Sequence, residues 1–203
     1  MSLKTLRTPF LYPLIHFLVR CFFTLMGGYR VEGAEHVPAS GPAIIAPNHV
    51  SMADPPLVAI AVPRTAKIMA KIELFRVPVI GPLIRHLGAF PVHRGTPDRA
   101  ALRKAIDLLD EGWPVIIFPE GTRGDGKELG PLEKGVLLIA SKSGAPIVPA
   151  YVSGTCHMLP RGAKRMRRSR VTVRFGPPLD PAKFGKGEDL SAAIMSGIAA
   201  LKE

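Results

Sequence analysis

The sequence predicts an α/β fold behind an N-terminal helical segment, on three observations. From about residue 40, short apolar runs alternate with stretches of helical spacing, as in strands joined by crossover helices. Residues 10–26 are almost entirely apolar or aromatic, and their polar exceptions, His16, Arg20 and Thr24, fall four apart. A chain of 203 residues is most simply one domain with a sizeable core plus an appendage. The expected division is a membrane-associating segment, 1–30, and an α/β domain, 31–203.

Composition narrows the partners. Hydrophobic residues make up 47% of the chain, mean hydropathy is +0.20, and 27 Lys and Arg leave a net charge of +11. A chain both apolar and basic suits an anionic lipid surface. Nucleic acid is the competing partner for such a charge. No zinc-ligand spacing or aromatic RNA-binding run accompanies it, and the basic stretch is not interleaved with aromatics. Cys21 and Cys156 lie far apart with no CxxC pattern, which favours a reducing compartment and gives neither a role.

Taken in order, residues 10–26 predict a helix with one narrow polar stripe. A spanning helix would hold Arg20 near the bilayer centre, at a cost that a helix lying in the interface avoids. A signal peptide fits the basic start, but no small-x-small cleavage site follows convincingly. Strands are expected at 43–46, 66–70, 88–92, 114–118, 146–152 and 170–175. The clearest helix follows Thr96-Pro97-Asp98, read as a capping threonine, a proline at the first helical position and an acid in the first turn. Leu102, Ala105, Ile106 and Leu109 keep helical spacing, and Gly112 ends it. Further helices are expected at 133–142, with Gly144 beyond, and at 190–201.

Chemistry concentrates at strand ends. Ala43-Ile44-Ile45-Ala46 leads through Pro47 to Asn48-His49, and Asp54 comes five residues after the histidine. That spacing lets the carboxylate reach one imidazole nitrogen and leaves the other free to take a proton. A lone histidine near a loop is more often structural, so the downstream blocks decide. Gly88-Ala89-Phe90-Pro91-Val92-His93-Arg94 reads as a strand ending in a charge at the sheet's rim. Val115-Ile116-Ile117-Phe118 leads into Pro119-Glu120-Gly121-Thr122-Arg123-Gly124, which supplies a glycine, a hydroxyl and an arginine fork, the parts of a phosphate cradle. Glu120 is an odd neighbour for an anion unless it holds the arginines or receives a substrate hydroxyl. Ala145-Pro146-Ile147-Val148-Pro149 reads as a pocket-lining strand. The densest basic run, 161–170, is a solvated loop, a contact for anionic headgroups, or a contact for a donor's phosphates or an acidic carrier protein.

Together, Asn48-His49 with Asp54, the block from Gly88 to Arg94, Phe118-Pro119-Glu120-Gly121-Thr122-Arg123 and Ile147-Val148-Pro149 resemble the glycerophospholipid acyltransferase family, in particular its 1-acyl-sn-glycerol-3-phosphate acyltransferases. The resemblance covers roughly residues 30–155. It implies a mixed sheet flanked by helices with an N-terminal membrane anchor. It implies acyl transfer from a thioester, on coenzyme A or acyl carrier protein, to the free hydroxyl of a lysophospholipid. Metal, cofactor and acyl-enzyme are not expected, and the thioester is a co-substrate. Carried across, His49 is the general base and Asp54 its orienter. Arg94, Gly121, Thr122 and Arg123 form the acceptor-phosphate site, Glu120 assists, and Lys71 matches a lysine common in the family that would add to phosphate binding. Gly124 departs from the pattern, since serine is common there. The expected location is the cell membrane, peripheral or monotopic on the cytoplasmic face. A different lysolipid acceptor, a thioester hydrolase and a non-catalytic lipid-binding protein are the rival readings; binding alone would need neither His49 nor Asp54.

Overall fold

The structure, a computed structural model, describes residues 11–93, 98–126, 128–163, 165–184 and 187–202. Within them, seven strands build one sheet: β1 (Tyr29–Glu32), β2 (Ala43–Pro47), β3 (Lys67–Lys71), β4 (Ala89–Val92), β5 (Pro114–Ile116), β6 (Ile147–Ser153) and β7 (Val171–Phe175). Their order is β1-β7-β6-β2-β5-β3-β4. Strands β2 to β6 are mutually parallel, β7 runs antiparallel to β6, and β1 runs parallel to β7. The sheet is therefore mixed, as expected. Central β2 is buried at every position, which is why its sequence is an unbroken apolar run with no alternation.

Seven α-helices accompany the sheet among the described residues: α1 (Leu11–Leu25), α2 (Asp54–Ala61), α3 (Ile80–His86), α4 (Arg99–Asp110), α5 (Lys134–Ser143), α6 (Thr155–Met158) and α7 (Gly187–Ala199). The steps β2→β3→β4 move one way along the sheet, and β4→β5→β6 move back. Right-handed crossovers therefore place α2 and α3 on one face and α4 and α5 on the other. The core divides accordingly. One apolar cluster joins Phe23 of α1 and Leu57 and Val58 of α2 to the sheet; the other joins Leu109, Ile139 and Ile194 of α4, α5 and α7 to its opposite side.

Several details differ from the sequence reading, and helices α2, α3 and α6 were not among its expected elements. Strand β1 was not expected: it is four residues long, lies at the sheet edge and carries two charges, so it shows no apolar run. It also crosses the expected boundary at residue 30. The cap of α4 is Asp98, whose carboxylate accepts from the Ala101 N–H at 2.9 Å, and the helix begins at Arg99; Thr96 and Pro97 lie outside the described residues. Strand β5 stops at Ile116, although Ile117 and Phe118 stay buried.

Helix α1 packs on the domain through Val19 and Phe23, and Met26 just beyond it packs there too. Arg20 and Thr24 of the polar stripe are exposed, and His16 is half-buried, its imidazole held below its usual range by desolvation. Leu14, Phe17, Leu18, Phe22 and Leu25 remain in solvent, with Leu25 74% exposed. Among the described residues, no helix is long and apolar enough to cross a membrane.

Candidate active site

Parallel strands bring their carboxyl ends to one edge, where α/β sheets bind ligands. That edge collects the blocks singled out above. β2 delivers Asn48 and His49, β5 leads to residues 119–124, β3 ends at Lys71, and β4 ends beside His93. The expected Arg94 follows directly but lies outside the described residues.

His49 and Asp54 meet as the spacing predicts. The imidazole Nδ1 lies 3.0 Å from Asp54 Oδ2, and both side chains are buried, at 5% and 0% exposure. The same carboxylate oxygen accepts the main-chain N–H groups of Val50 and Ser51, each at 2.7 Å. Asp54 is not a loop residue but the first residue of α2, with proline following in the opening turn. An acid suits that place because the helix amino terminus carries partial positive charge. With Nδ1–H donated to Asp54, the neutral ring keeps its lone pair on Nε2. Nε2 makes no hydrogen bond to a described residue, and it is not among the wholly buried polar atoms left without partners. The ring stacks at 34° on Phe118, centroids 4.2 Å apart.

Glu120 lies beneath the histidine. It is 5% exposed; its Oε1 accepts the His49 N–H at 2.9 Å, and its Oε2 accepts the Gly130 N–H at 2.9 Å. The His49 carbonyl in turn accepts the Gly124 N–H at 2.8 Å. The loop after β5 thus holds both polar main-chain groups of His49. A Cβ at Gly124 would stand 3.0 Å from Glu120 Oε2, so the glycine in place of the family's serine fits this carboxylate. The sequence left Glu120 either holding the arginines or receiving a substrate hydroxyl; in the structure its two oxygens accept main-chain N–H groups. A glutamate set between Pro119 and Gly121 directly after an apolar run was the available signal.

Around this centre, Gly121 adopts φ +63°, a conformation glycine allows without strain. Thr122 is exposed; Arg123 is half-buried and makes no ion pair with a described residue, so its guanidinium is available to an anion. Lys71 stands two strands from β2 and pairs with Glu73 at 3.3 Å, both exposed. Asn48, named in the sequence without a role, ties the end of β2 to β6: its Oδ1 accepts the Val152 N–H at 2.6 Å and its Nδ2 donates to the Val152 carbonyl at 3.2 Å. Ser51 Oγ donates to the Leu159 carbonyl at 2.9 Å and anchors the other side of the histidine loop. Sequence spacing did not reveal these two supports.

The arrangement can remove a proton from a neutral hydroxyl and hold an anion near it. Comparisons with known proteins show which family the chain resembles. A family model described as Acyltransferase matches residues 28–153. The chain is 34% identical over 167 residues to a 1-acyl-sn-glycerol-3-phosphate acyltransferase of Bacillus subtilis, spanning 82% of this chain and 81% of that one. It is 34% identical over 164 residues to a chloroplastic protein of that name from Brassica napus, spanning 79% of this chain but 46% of the relative. The crystal structure of the 1-acyl-sn-glycerophosphate acyltransferase PlsC from Thermotoga maritima superposes with a TM-score of 0.83 at 31% identity, over 96% of this chain and 79% of that one.

Proposed function

The chain belongs to the acyltransferase family, and from that premise we propose that it transfers a fatty acyl group from a thioester to the free hydroxyl of 1-acyl-glycerol-3-phosphate, forming phosphatidic acid. The observation that carries the reading is the buried His49–Asp54 pair, one loop away from Arg123, with neither Nε2 nor the guanidinium paired to a described residue. The relatives' names supply the acceptor.

Nε2 of His49 takes the proton of the acceptor hydroxyl as that oxygen attacks the thioester carbonyl carbon. Asp54 keeps Nδ1 protonated and stabilises the imidazolium. The tetrahedral intermediate collapses by breaking the carbon–sulfur bond, and the departing thiolate takes the proton back from His49. The oxygen, carbonyl and sulfur chemistry balances without a metal or an acyl-enzyme. Arg123, with Arg94, Gly121 and Thr122, holds the acceptor phosphate and so places the hydroxyl at the base. Glu120 acts as a positioning residue for His49, and Lys71 supplies nearby positive charge. Coenzyme A and acyl carrier protein are the two donors to compare. The reaction takes place at the cytoplasmic face of the cell membrane, where α1 lies in the interface on its exposed apolar side.

The test is a panel of lysolipids with labelled acyl-CoA and acyl carrier protein thioesters, repeated with Arg123→Ala. Truncating a charge-assisted contact to phosphate costs about 2–5 kcal/mol, so the apparent KM for a phosphate-bearing acceptor should rise while donor KM stays near its starting value. A rise in donor KM alone would move the cradle to the coenzyme. Equal turnover on acceptors lacking the phosphate would overturn the assignment of the acceptor.

A further inference from the structure

Exposed apolar side chains are distributed unevenly between the two faces of the sheet. Among the described residues, five of the large ones lie on α1 and four on the connection between β3 and β4, at Val77, Val79, Ile80 and Leu83. Met52 lies in the His49 loop, and the face carrying α4, α5 and α7 exposes only Leu138. Helix α1 leads into β1 at one edge of the sheet, and α3 joins β3 to β4 at the other. Helix α2, which follows the histidine loop, crosses between them. The apolar ground on this face is therefore in two pieces with the His49 loop between.

The second piece is held in an unfavourable conformation. Val79 has φ +68° and ψ −50°, and the Ile80 N–H bonds back to the Pro78 carbonyl at 2.8 Å, a γ-turn of the rare positive-φ form. For a β-branched residue this conformation is strained. Nevertheless the valine is 79% exposed, so nothing in the fold rewards its side chain. Two residues on, Gly81 packs so closely that a Cβ there would meet the Phe75 backbone at 2.4 Å, which fixes the turn from behind.

Charge identifies what covers this ground. Exposed Arg76 and Arg85 flank the segment. On the α1 side, the β6–β7 loop exposes Arg161, Arg165, Arg167, Arg168 and Arg170, none paired with an acid among the described residues. That loop is fastened to the end of α1 by the Ser169 N–H, which donates to the Met26 carbonyl at 2.9 Å. Apolar side chains bordered by unpaired arginines match acyl chains beneath anionic headgroups.

We infer that residues 77–83 form a second bilayer contact, separate from α1, and that the two together hold the His49 loop against an anionic lipid surface. The inference rests on the reading that the acceptor is met at a membrane. The geometry makes the β3–β4 connection a wedge whose exposed tip is Val79.

Single tryptophans test it in the full chain. Trp113 lies just before the amino end of β5, an interior strand, away from the carboxyl ends that carry the His49 loop, and is replaced by Phe. Ile80→Trp, Phe17→Trp and Leu138→Trp are each mixed with phosphatidylglycerol vesicles carrying brominated acyl chains. Ile80→Trp and Phe17→Trp should lose at least half their emission, and Leu138→Trp should lose none. Quenching at Phe17→Trp without quenching at Ile80→Trp overturns the second contact and leaves the membrane reading intact. Quenching at neither overturns both. Quenching at Ile80→Trp alone keeps residues 77–83 as a bilayer contact but overturns the joint docking with α1. Quenching at all three overturns a one-sided docking face. An emission already blue-shifted without vesicles, in protein sedimenting as a dimer, would assign the patch to a second copy and overturn the inference. In otherwise unaltered protein, Val79→Gly relieves the strained turn, so its melting temperature should hold or rise. Its vesicle affinity should fall on the order of tenfold, from the apolar area lost. Turnover on a short-chain, water-soluble acceptor should not change. Unaltered vesicle affinity in this variant also overturns the inference.

Discussion

The chain builds the same histidine–aspartate pair twice. His49 and His93 each follow the carboxyl end of a parallel strand, and each finds an aspartate five residues later at a helix start, Asp54 opening α2 and Asp98 capping α4. The Nδ1 to Oδ2 distances are 3.0 and 2.8 Å. That oxygen also accepts main-chain N–H groups, two at Asp54 and one at Asp98. The difference is in the surroundings: His49 is 5% exposed and His93 is 61% exposed. His49 rests on Phe118 and has its backbone held by Glu120 and Gly124. Solvent screens the exposed pair and leaves its ring free to move, whereas the buried pair keeps its tautomer and direction. Spacing makes the pair; burial at the middle of the sheet, one loop from Arg123, sets the first pair apart and is the ground on which we propose His49 as the base.

The largest expected contrast is in turnover. His49→Ala should lower acyl transfer roughly 10²–10⁴-fold, the usual worth of a positioned base, with the circular dichroism spectrum unchanged. His93→Ala should stay within about twofold. Similar losses in both would break the comparison. Next comes stability. Asp54→Ala leaves the N–H groups of Val50 and Ser51 without their acceptor. At about 1–3 kcal/mol for each buried orphan, urea unfolding should show a loss of several kcal/mol, well beyond that of Asp98→Ala.

Glu120→Gln tests what only the first pair has. The amide can still accept at one atom but not at both, so either the His49 N–H or the Gly130 N–H loses its acceptor and the clamp on His49 loosens. A small misplacement of a catalytic group costs on the order of 10²-fold in kcat, while acceptor KM should stay within about twofold. A raised acceptor KM with kcat preserved would return Glu120 to direct contact with the substrate.

Much of this site was legible in the chain, for reasons particular to each residue. His49 and Asp54 are close in sequence, and a buried parallel strand such as 43–46 is a bare apolar run, so both the pair and its place at a strand end could be read. Position 120 was legible as important but not as a clamp, because its partners, His49 and Gly130, are main-chain groups that carry no side-chain signal. Asn48 and Val152 meet across 104 positions, a closure that local spacing cannot express. Strand β1 was hidden by its charges and length, and α3 by its prolines. The apolar content of α1 was plain, but its division into a buried side through Val19 and Phe23 and an open side through Phe17 and Leu25 depends on α2 and the sheet. Each omission involves a partner supplied by tertiary structure.

The smallest expected effect belongs to the second pair's aspartate. Asp98 accepts from the His93 N–H at 2.8 Å and from the Ala101 N–H at 2.9 Å. Those bonds, ahead of the nearby imidazole, bring its carboxyl down to about 2. An unfolded aspartate titrates near ~3.9. The folded value is the lower one, so the ionised group favours the fold above about pH 4, and that contribution fades as pH falls through about 2. Removing the cap with Asp98→Ala should cost about 1 kcal/mol at pH 7. Against the parent protein, the deficit should be constant from pH 7 to about 5 and shrink between about 4 and 3, while the protein still unfolds cooperatively in urea. A deficit that is the same at pH 3 as at pH 7 would mean that the side chain acts through packing. A deficit that grows with acid would reverse the sign and show that the carboxyl supports the turn in its protonated form. Only the first pattern makes Asp98 a helix cap that happens to hold an exposed histidine, in contrast with Asp54, whose histidine is buried against Phe118.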